Sequence, residues 1–290
     1  MSSTINQVYI DEFNAYLRLL AQQEFARLRP KVYEVSSGGE SYSFDRVGAT
    51  EATQKTTRAQ ATPINQYPFS RRVATAKTFN CGELIEQEDQ IQAKVSIKGG
   101  LVRSMAASMA RSYDDEIIRA FGSTALDGDG ASIPFPAGQV VGDGTTPISF
   151  DMVTAVQELF LQNDIQGEVL KCFVVGPTQV RKLLQLTEQT SSDFVSREAL
   201  MRLSQGLIVP NWMGFSWICS TRLLAPAVGE LDCYAFTERA IGLAENRGIT
   251  TFVQQDPSVS FAWRLYSQAT FGAVRTEDEQ IVRVHVLDSL

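Results

Sequence analysis

Between Gly48 and Pro63 the chain reads GATEATQKTTRAQATP, with no apolar side chain larger than alanine ahead of the closing proline. Two runs of strand character flank it, SYSFDRV from Ser41 and RRVATAKTF from Arg71. Fixing a backbone costs roughly 1–2 kcal/mol per residue, and a segment this polar cannot offset that by burial within its own chain. Its order is therefore expected to come from a neighbouring chain. The sequence points to a subunit of an assembly rather than to a self-contained enzyme.

The rest of the chain is built to fold. Its 290 residues are 44% hydrophobic and 20% charged, which suits one large or two intergrown globular domains with ample burial. A net charge of -7, from 26 basic and 33 acidic residues, argues against a surface that grips nucleic acid through its phosphates. The charge is uneven: Arg46, Lys55, Arg58, Arg71, Arg72 and Lys77 stand against a single acid, Glu51, over the same stretch. A basic projecting segment on an acidic body suggests electrostatic complementarity between identical subunits, the competing reading being a basic loop that is merely solvated. Cys81, Cys172, Cys219 and Cys233 are widely spaced and read as buried thiols in a reducing compartment. No basic leader with an apolar core opens the sequence, and no run of about 18 apolar residues occurs, so no membrane partner is expected.

Periodicity supplies the order of elements. Tyr9, Phe13, Tyr16, Leu17 and Leu20 recur at helical spacing, predicting an amphipathic helix from Tyr9 to Leu28, stopped by Pro30. It reads as an arm that docks on a surface, or else packs on the chain's own core. After the break at Ser36 to Gly39, the two strand-like runs predict a long hairpin whose strands, at about 3.3 Å per residue, carry the tip some 23 Å out. A short helix is expected from Leu84 to Gln92, then a long one from Ile97 to Phe121 with Gly122 as a left-handed cap. Small strands or a loop fill Gly122 to Pro147. An α/β stretch follows: a helix capped by Ser149 or Asp151 and running to about Leu161, the buried strand LKCFVV, a helix from Pro177 to about Leu186, and another from Arg197 to Gln205. FSWICS and LDCYAF read as strands, and Thr237 to Leu243 as a helical turn. The runs ITTFVQQ, VSFAWRLYS, ATFGAVR and EQIVRVHVL predict a closing antiparallel sheet.

Chemistry-bearing patterns are weak. His285 is the one histidine, so nucleophilic triads and histidine-rich zinc sites would all depend on it; a half-buried strand residue is the simpler reading. Asp114, Asp115 and Glu116 diverge by about 100° each on a helix, so they read as a solvated face with an Asp115 to Arg119 pair. Asp127-Gly-Asp-Gly130 is similar to a calcium loop, but Ala131 and Gly138 occupy ligand positions, which leaves a turn. No phosphate-cradling glycine motif is present. Trp212 and Trp217 read as core or subunit-contact aromatics. No catalytic residue, cofactor or metal site is expected, and a serine hydrolase working through His285 stands as the alternative from another class.

The sequence of arm, basic hairpin, long helix, α/β region and closing strands resembles the major capsid proteins of tailed bacteriophages, whose Hong Kong 97-type fold encapsulins share. Three passages carry the resemblance: FARLRPKVYEVSSGGESYSFDRVGA, LIEQEDQIQAKVSIKGGLVRSMAASMARSYDDEIIRAFGSTAL and QATFGAVRTEDEQIVRVHVL. It implies an α+β fold with an N-terminal arm (1–40), an extended loop (41–80), a peripheral domain (81–149 and 257–290) with spine helix 97–121, and an axial domain (150–256). It also implies hexamers and pentamers closing into an icosahedral head around phage DNA, assembled in the host cytoplasm and ending in the virion. The subunit-contact candidates are Arg46, Lys55, Arg58, Arg71, Arg72 and Lys77 on the loop and Phe13, Leu17 and Leu20 on the arm. Exchanging Arg71 and Arg72 for Glu is then expected to block shell formation without unfolding the protomer. No helical pro-domain precedes the arm, so a separate scaffolding protein is expected beside the portal. Some relatives join subunits through a lysine to asparagine crosslink; Lys55 lies near the tip, but nothing marks its partner. An encapsulin-like compartment is the runner-up within the fold, and a ring-forming tail protein would not need the long helix.

Overall fold

In the computed structural model the described residues are 22–61, 64–86, 97–166, 169–185 and 211–288. A 26-residue helix, α1 (Ile97–Gly122), is the axis on which the rest is hung. At about 1.5 Å per residue it is roughly 39 Å long. Its stripe Met105, Met109, Tyr113 and Ile117 is buried, as the spacing predicts.

Three sheets surround it. The first has the order β1 (Tyr33–Ser36), β11 (Ile241–Asp256), β12 (Ala262–Arg275), β4 (Lys77–Ile85). One face lies on α1, where Met105 packs with Ile85 and Leu265, and Tyr113 stacks on Phe271 at 3.8 Å between ring centroids. The second sheet has the order β7 (Val140–Val141), β13 (Ile281–Leu287), β10 (Glu230–Thr237), β8 (Lys171–Val175), β9 (Phe215–Cys219). All of β8 is buried, as its unbroken apolar run predicts for a central strand. The helices α2 (Phe150–Gln162), capped by the Ser149 hydroxyl accepting from the Met152 amide, and α3 (Pro177–Leu184) belong to this sheet's half of the core. The third sheet carries the hairpin: β2 (Ser41–Val47), β3 (Phe69–Thr75), β5 (Ala125–Asp127), β6 (Ser132–Ile133). The Asp127 to Gly130 turn joins the last two strands.

The last turn of α1 crosses from the first sheet to the second. Phe121 packs on Tyr234 and Phe236 of β10. Gly122 is there because of this approach: a Cβ would stand 2.5 Å from the Tyr234 hydroxyl. It ends the helix without the left-handed conformation expected of it.

Other expectations are corrected by long-range pairing. Residues 22–28 are irregular and Pro30 sits inside a short 3-10 turn, Arg29–Lys31, so the arm helix does not extend to Leu28; its earlier part lies outside the described residues, as does the helix expected from Arg197. Leu84 and Ile85 belong to β4, not to a helix, because β12 offers them a partner. The run RRVATAKTF bends at Ala76 into two strands of different sheets. VSFAWRLYS and ATFGAVR form one strand, β12. The strand EQIVRVHVL joins the second sheet beside β10 rather than the first, while β11 lies in the first. β13 thus shares a sheet with β8, β9 and β10, and β11 shares one with β12 and β4. Among the described residues no helix is long and apolar enough to cross a membrane.

Candidate assembly surface

The hairpin is the feature that leaves the body, and its strand alternation decides what each side chain does. In β2 and β3, Tyr42, Phe44 and Arg46 face Ala74, Arg72 and Ser70 on one side, while Ser43, Asp45 and Val47 face Val73, Arg71 and Phe69 on the other. The first side turns inward. Phe44 packs with Ala74, Ala125, Ala244 and Val274, and Gly242 lets its ring approach so closely that a Cβ would stand 2.5 Å away.

Two arginines lock this root to the turn between β12 and β13. Arg72, 4% exposed, donates to Asp278 at 2.9 Å. Arg46 donates to the Thr276 carbonyl at 2.5 Å and the Ser70 hydroxyl at 3.1 Å. Asp278 also accepts from Arg275 at 2.5 Å, and this fully buried arginine reaches the Phe121, Ser123, Ile133 and Pro134 carbonyls. Lys77, at the bend after β3, donates to Glu116 of α1 at 2.6 Å.

The outward side differs. Arg71 pairs with Asp45 at 2.5 Å, both exposed, and the guanidinium holds the Asp45 carboxyl below its usual range. Beyond the strands, residues 51–61 are exposed throughout, Lys55 and Arg58 among them. Local bonds shape this tip: the Gln60 side-chain oxygen accepts from the Thr56 amide at 2.9 Å, and Asn65 donates to the Glu51 carbonyl at 2.9 Å. Ala59 takes a left-handed φ of 61°.

The candidate residues thus separate. Lys55 and Arg58 stand free of the body, and Arg71 is exposed in its pair with Asp45; Arg46, Arg72 and Lys77 bond to the chain's own body; Phe13, Leu17 and Leu20 lie outside the described residues. Since Arg72 is buried against Asp278, its exchange for Glu would bury two facing acids, so it cannot be expected to leave the protomer folded. Charge counting also missed the apolar flank of the tip. Val47, Ile64, Tyr67 and Phe69 are large apolar side chains left exposed, and the run INQYPF directly after Pro63 was the available signal.

The acidic triplet on α1 is the second surprise. Asp114 and Glu116 are buried rather than solvated. Their divergence does give three directions, and each is used. Asp114 accepts from the Arg27 and Leu28 amides at 2.9 and 3.0 Å and from Gln23 at 2.5 Å, tying down the segment that leads out of the arm. Asp115 pairs with Arg222, not Arg119. Glu116 takes Lys77 from the hairpin and Arg119 one turn on.

The remaining candidates settle into structure. His285 is a partly buried strand residue held by Asp232 at 2.7 Å and Glu230 at 3.2 Å. Trp217 stacks on Phe173 and donates to the Trp212 carbonyl at 3.1 Å. Burial pushes the Cys172 thiol up to about 11 and the Cys233 thiol up to about 12. Among the described residues no three His, Cys, Asp or Glu side chains gather as a metal site.

This architecture has relatives of known structure. The capsid of cyanophage P-SCSP1u superposes with a TM-score of 0.72 at 15% identity, covering 97% of this chain and 94% of that one. A chain of Mycobacterium phage Che8 gives 0.71 at 15%, over 95% and 96%. The capsid of a native GTA particle gives 0.67 at 13%, over 99% of both chains. At such identities the likeness is one of fold. No curated protein matches the sequence. The family model described as phage capsid protein matches residues 5–288, and by that match, over nearly the whole length, the chain belongs to the phage capsid protein family.

Proposed function

We infer that this chain is the major capsid protein of a tailed phage, copies of which build the icosahedral head. The observation that carries the reading is the hairpin: a root bolted to its own body by Arg46 and the buried Arg72, and a limb beyond it, residues 51–61, exposed along its whole length. Such a limb gains order only when a neighbour covers it, at a backbone cost of about 1–2 kcal/mol per residue that the contact must offset.

On this reading α1 and the first sheet form the peripheral domain. The second sheet with α2 and α3 forms the axial domain, now including β13. Copies gather into hexamers and pentamers around the axial domains. A separate scaffolding protein and a portal are the proposed partners during assembly in the host cytoplasm. The packaged DNA is held by proximity, because a chain of net charge -7 offers no general grip on phosphate. Catalysis has no part in this role.

Electron micrographs of the purified chain, alone and with a scaffolding partner, test the reading. Closed shells are expected in at least one case. Hydrogen exchange over residues 48–61 should be fast in the free protomer and slowed in the shell; full protection in a dilute protomer would overturn the role given to the limb.

A further inference from the structure

Lys171 opens the buried strand β8, with Thr237 of β10 on one side and Phe215 of β9 on the other. It is 2% exposed. Its ammonium stands 5.6 Å from the centre of the Phe160 ring and gives one long hydrogen bond, 3.4 Å, to the side-chain oxygen of Gln157 on α2. An ammonium has three donors and no acceptor, so this bond leaves it poorly satisfied. The other two buried cations among the described residues, Arg72 and Arg275, both pair with Asp278. Lys171 has no acid beside it, and burial alone holds its pKa below the ordinary 10.5. Keeping a charge out of water without a counter-charge is costly.

Gln157 also faces solvent. With Thr154, Glu158, Leu161 and Gln162 of α2, and with Met213 from the turn before β9, it lines a shallow groove of about 480 Å³. Three of the polar groups there are turned along the helix: Thr154 donates to the Asp151 carbonyl at 2.8 Å, and Gln162 donates to Glu158 at 3.1 Å. Two apolar walls remain. Leu161 is 53% exposed, and Met213 is fixed in the groove by a left-handed φ of 55°, a conformation that a long side chain takes only where its surroundings impose it.

We propose that this groove binds a small aliphatic carboxylate, whose chain lies on Leu161 and Met213 and whose carboxylate replaces the Gln157 oxygen on the Lys171 ammonium. The Gln157 amide is a neutral acceptor at a long distance; a carboxylate in its place makes a charge-assisted bond and gives the buried cation its counter-charge. The volume suits a small molecule, and apolar walls with one placed charge are the usual makeup of such a site. None of these residues belongs to the hairpin or its root, so the site stands whether or not the chain builds shells.

Thermal midpoints of the full-length chain at neutral pH and constant ionic strength, titrated with sodium hexanoate, hexanol or inorganic phosphate, test it. Hexanoate should raise the midpoint in a saturable way, and hexanol and phosphate should not. An absent hexanoate response, or an equal one to hexanol or phosphate, overturns the proposal. Lys171→Met should abolish the hexanoate response while its ligand-free midpoint is at least that of the parent, because an apolar side chain replaces an unpaired buried charge. A response retained in that variant overturns the proposal as well. Leu161→Asp changes an exposed position and should weaken the apparent hexanoate affinity about tenfold or more by setting a like charge on the wall. Should Lys171→Met fail to fold, this variant decides, and unchanged affinity in it counts against the site.

Discussion

The root and the tip of the hairpin are made from the same residue types and meet opposite fates. At the root, Arg46 and Arg72 are drawn into the body by Thr276 and Asp278. At the tip, Lys55 and Arg58 have only solvent and the local turn around them. Arg71 and Arg72 make the contrast sharpest, because neighbours in a strand point to opposite faces: one is an exposed partner of Asp45, the other is among the buried residues. A count of positive charge along the segment treats all of these as one basic patch. The physical division is between arginines that cross-brace the chain and cations that remain exposed, and between Arg71 and Arg72 the pleat draws that line.

Substitutions can break this contrast, and the largest effect belongs to the hub of the root. Arg275→Met leaves four carbonyls without their buried donor and Asp278 with Arg72 alone, and losing one partner of a buried pair costs roughly 3–5 kcal/mol; urea denaturation of the protomer measures it. Arg72→Met should cost less, about 2 kcal/mol, since Asp278 keeps Arg275. A protomer as stable as the parent after that exchange would dissolve the distinction between root and tip.

A smaller effect concerns pH. Burial pushes the Glu277 carboxyl up from its ordinary 4.5, with Arg46 and Arg239 acting against the rise. A carboxyl whose folded value is raised holds its proton more tightly in the native state. Stability from this group is therefore present at acid pH and is lost as pH rises through the window from 4.5 to that higher value. Glu277→Gln should flatten the thermal midpoint against pH in that window, and an unaltered profile would separate the turn from the root's electrostatics. The smallest change is expected outside: Arg71→Ala and Lys55→Ala should leave the protomer's denaturation midpoint where it was, so any effect they have must appear in particle assembly.

Much of the chain's local structure was legible in its residues. The 3.6-residue stripe along α1, the Ser149 cap, the buried run at Lys171 to Val175, the paired strands around the tip and the turn at Asp127 each depend on neighbours a few positions away, and local pattern reports such features faithfully. The hairpin as the surface to watch was legible for the same reason. Its working residues were less so. The strip from Ile64 to Phe69 stands exposed because nothing in the fold reaches it, and an apolar run in a sequence gives no sign of whether a partner lies within the same chain.

By itself, then, the sequence determined the long helix, the Ser149-capped helix and the buried strand that follows it, and that one polar limb could not be covered from within. Only the tertiary structure decided which face of each strand turns inward, that Asp114, Asp115 and Glu116 fasten three separate segments to α1, and that β13 belongs beside β10. The reason is one of range. Periodicity is set by backbone geometry over a few residues, whereas the choice of partner among equally apolar strands, and of a buried acid for a given arginine, is made by chain segments some 200 residues apart, as Arg72 and Asp278 are.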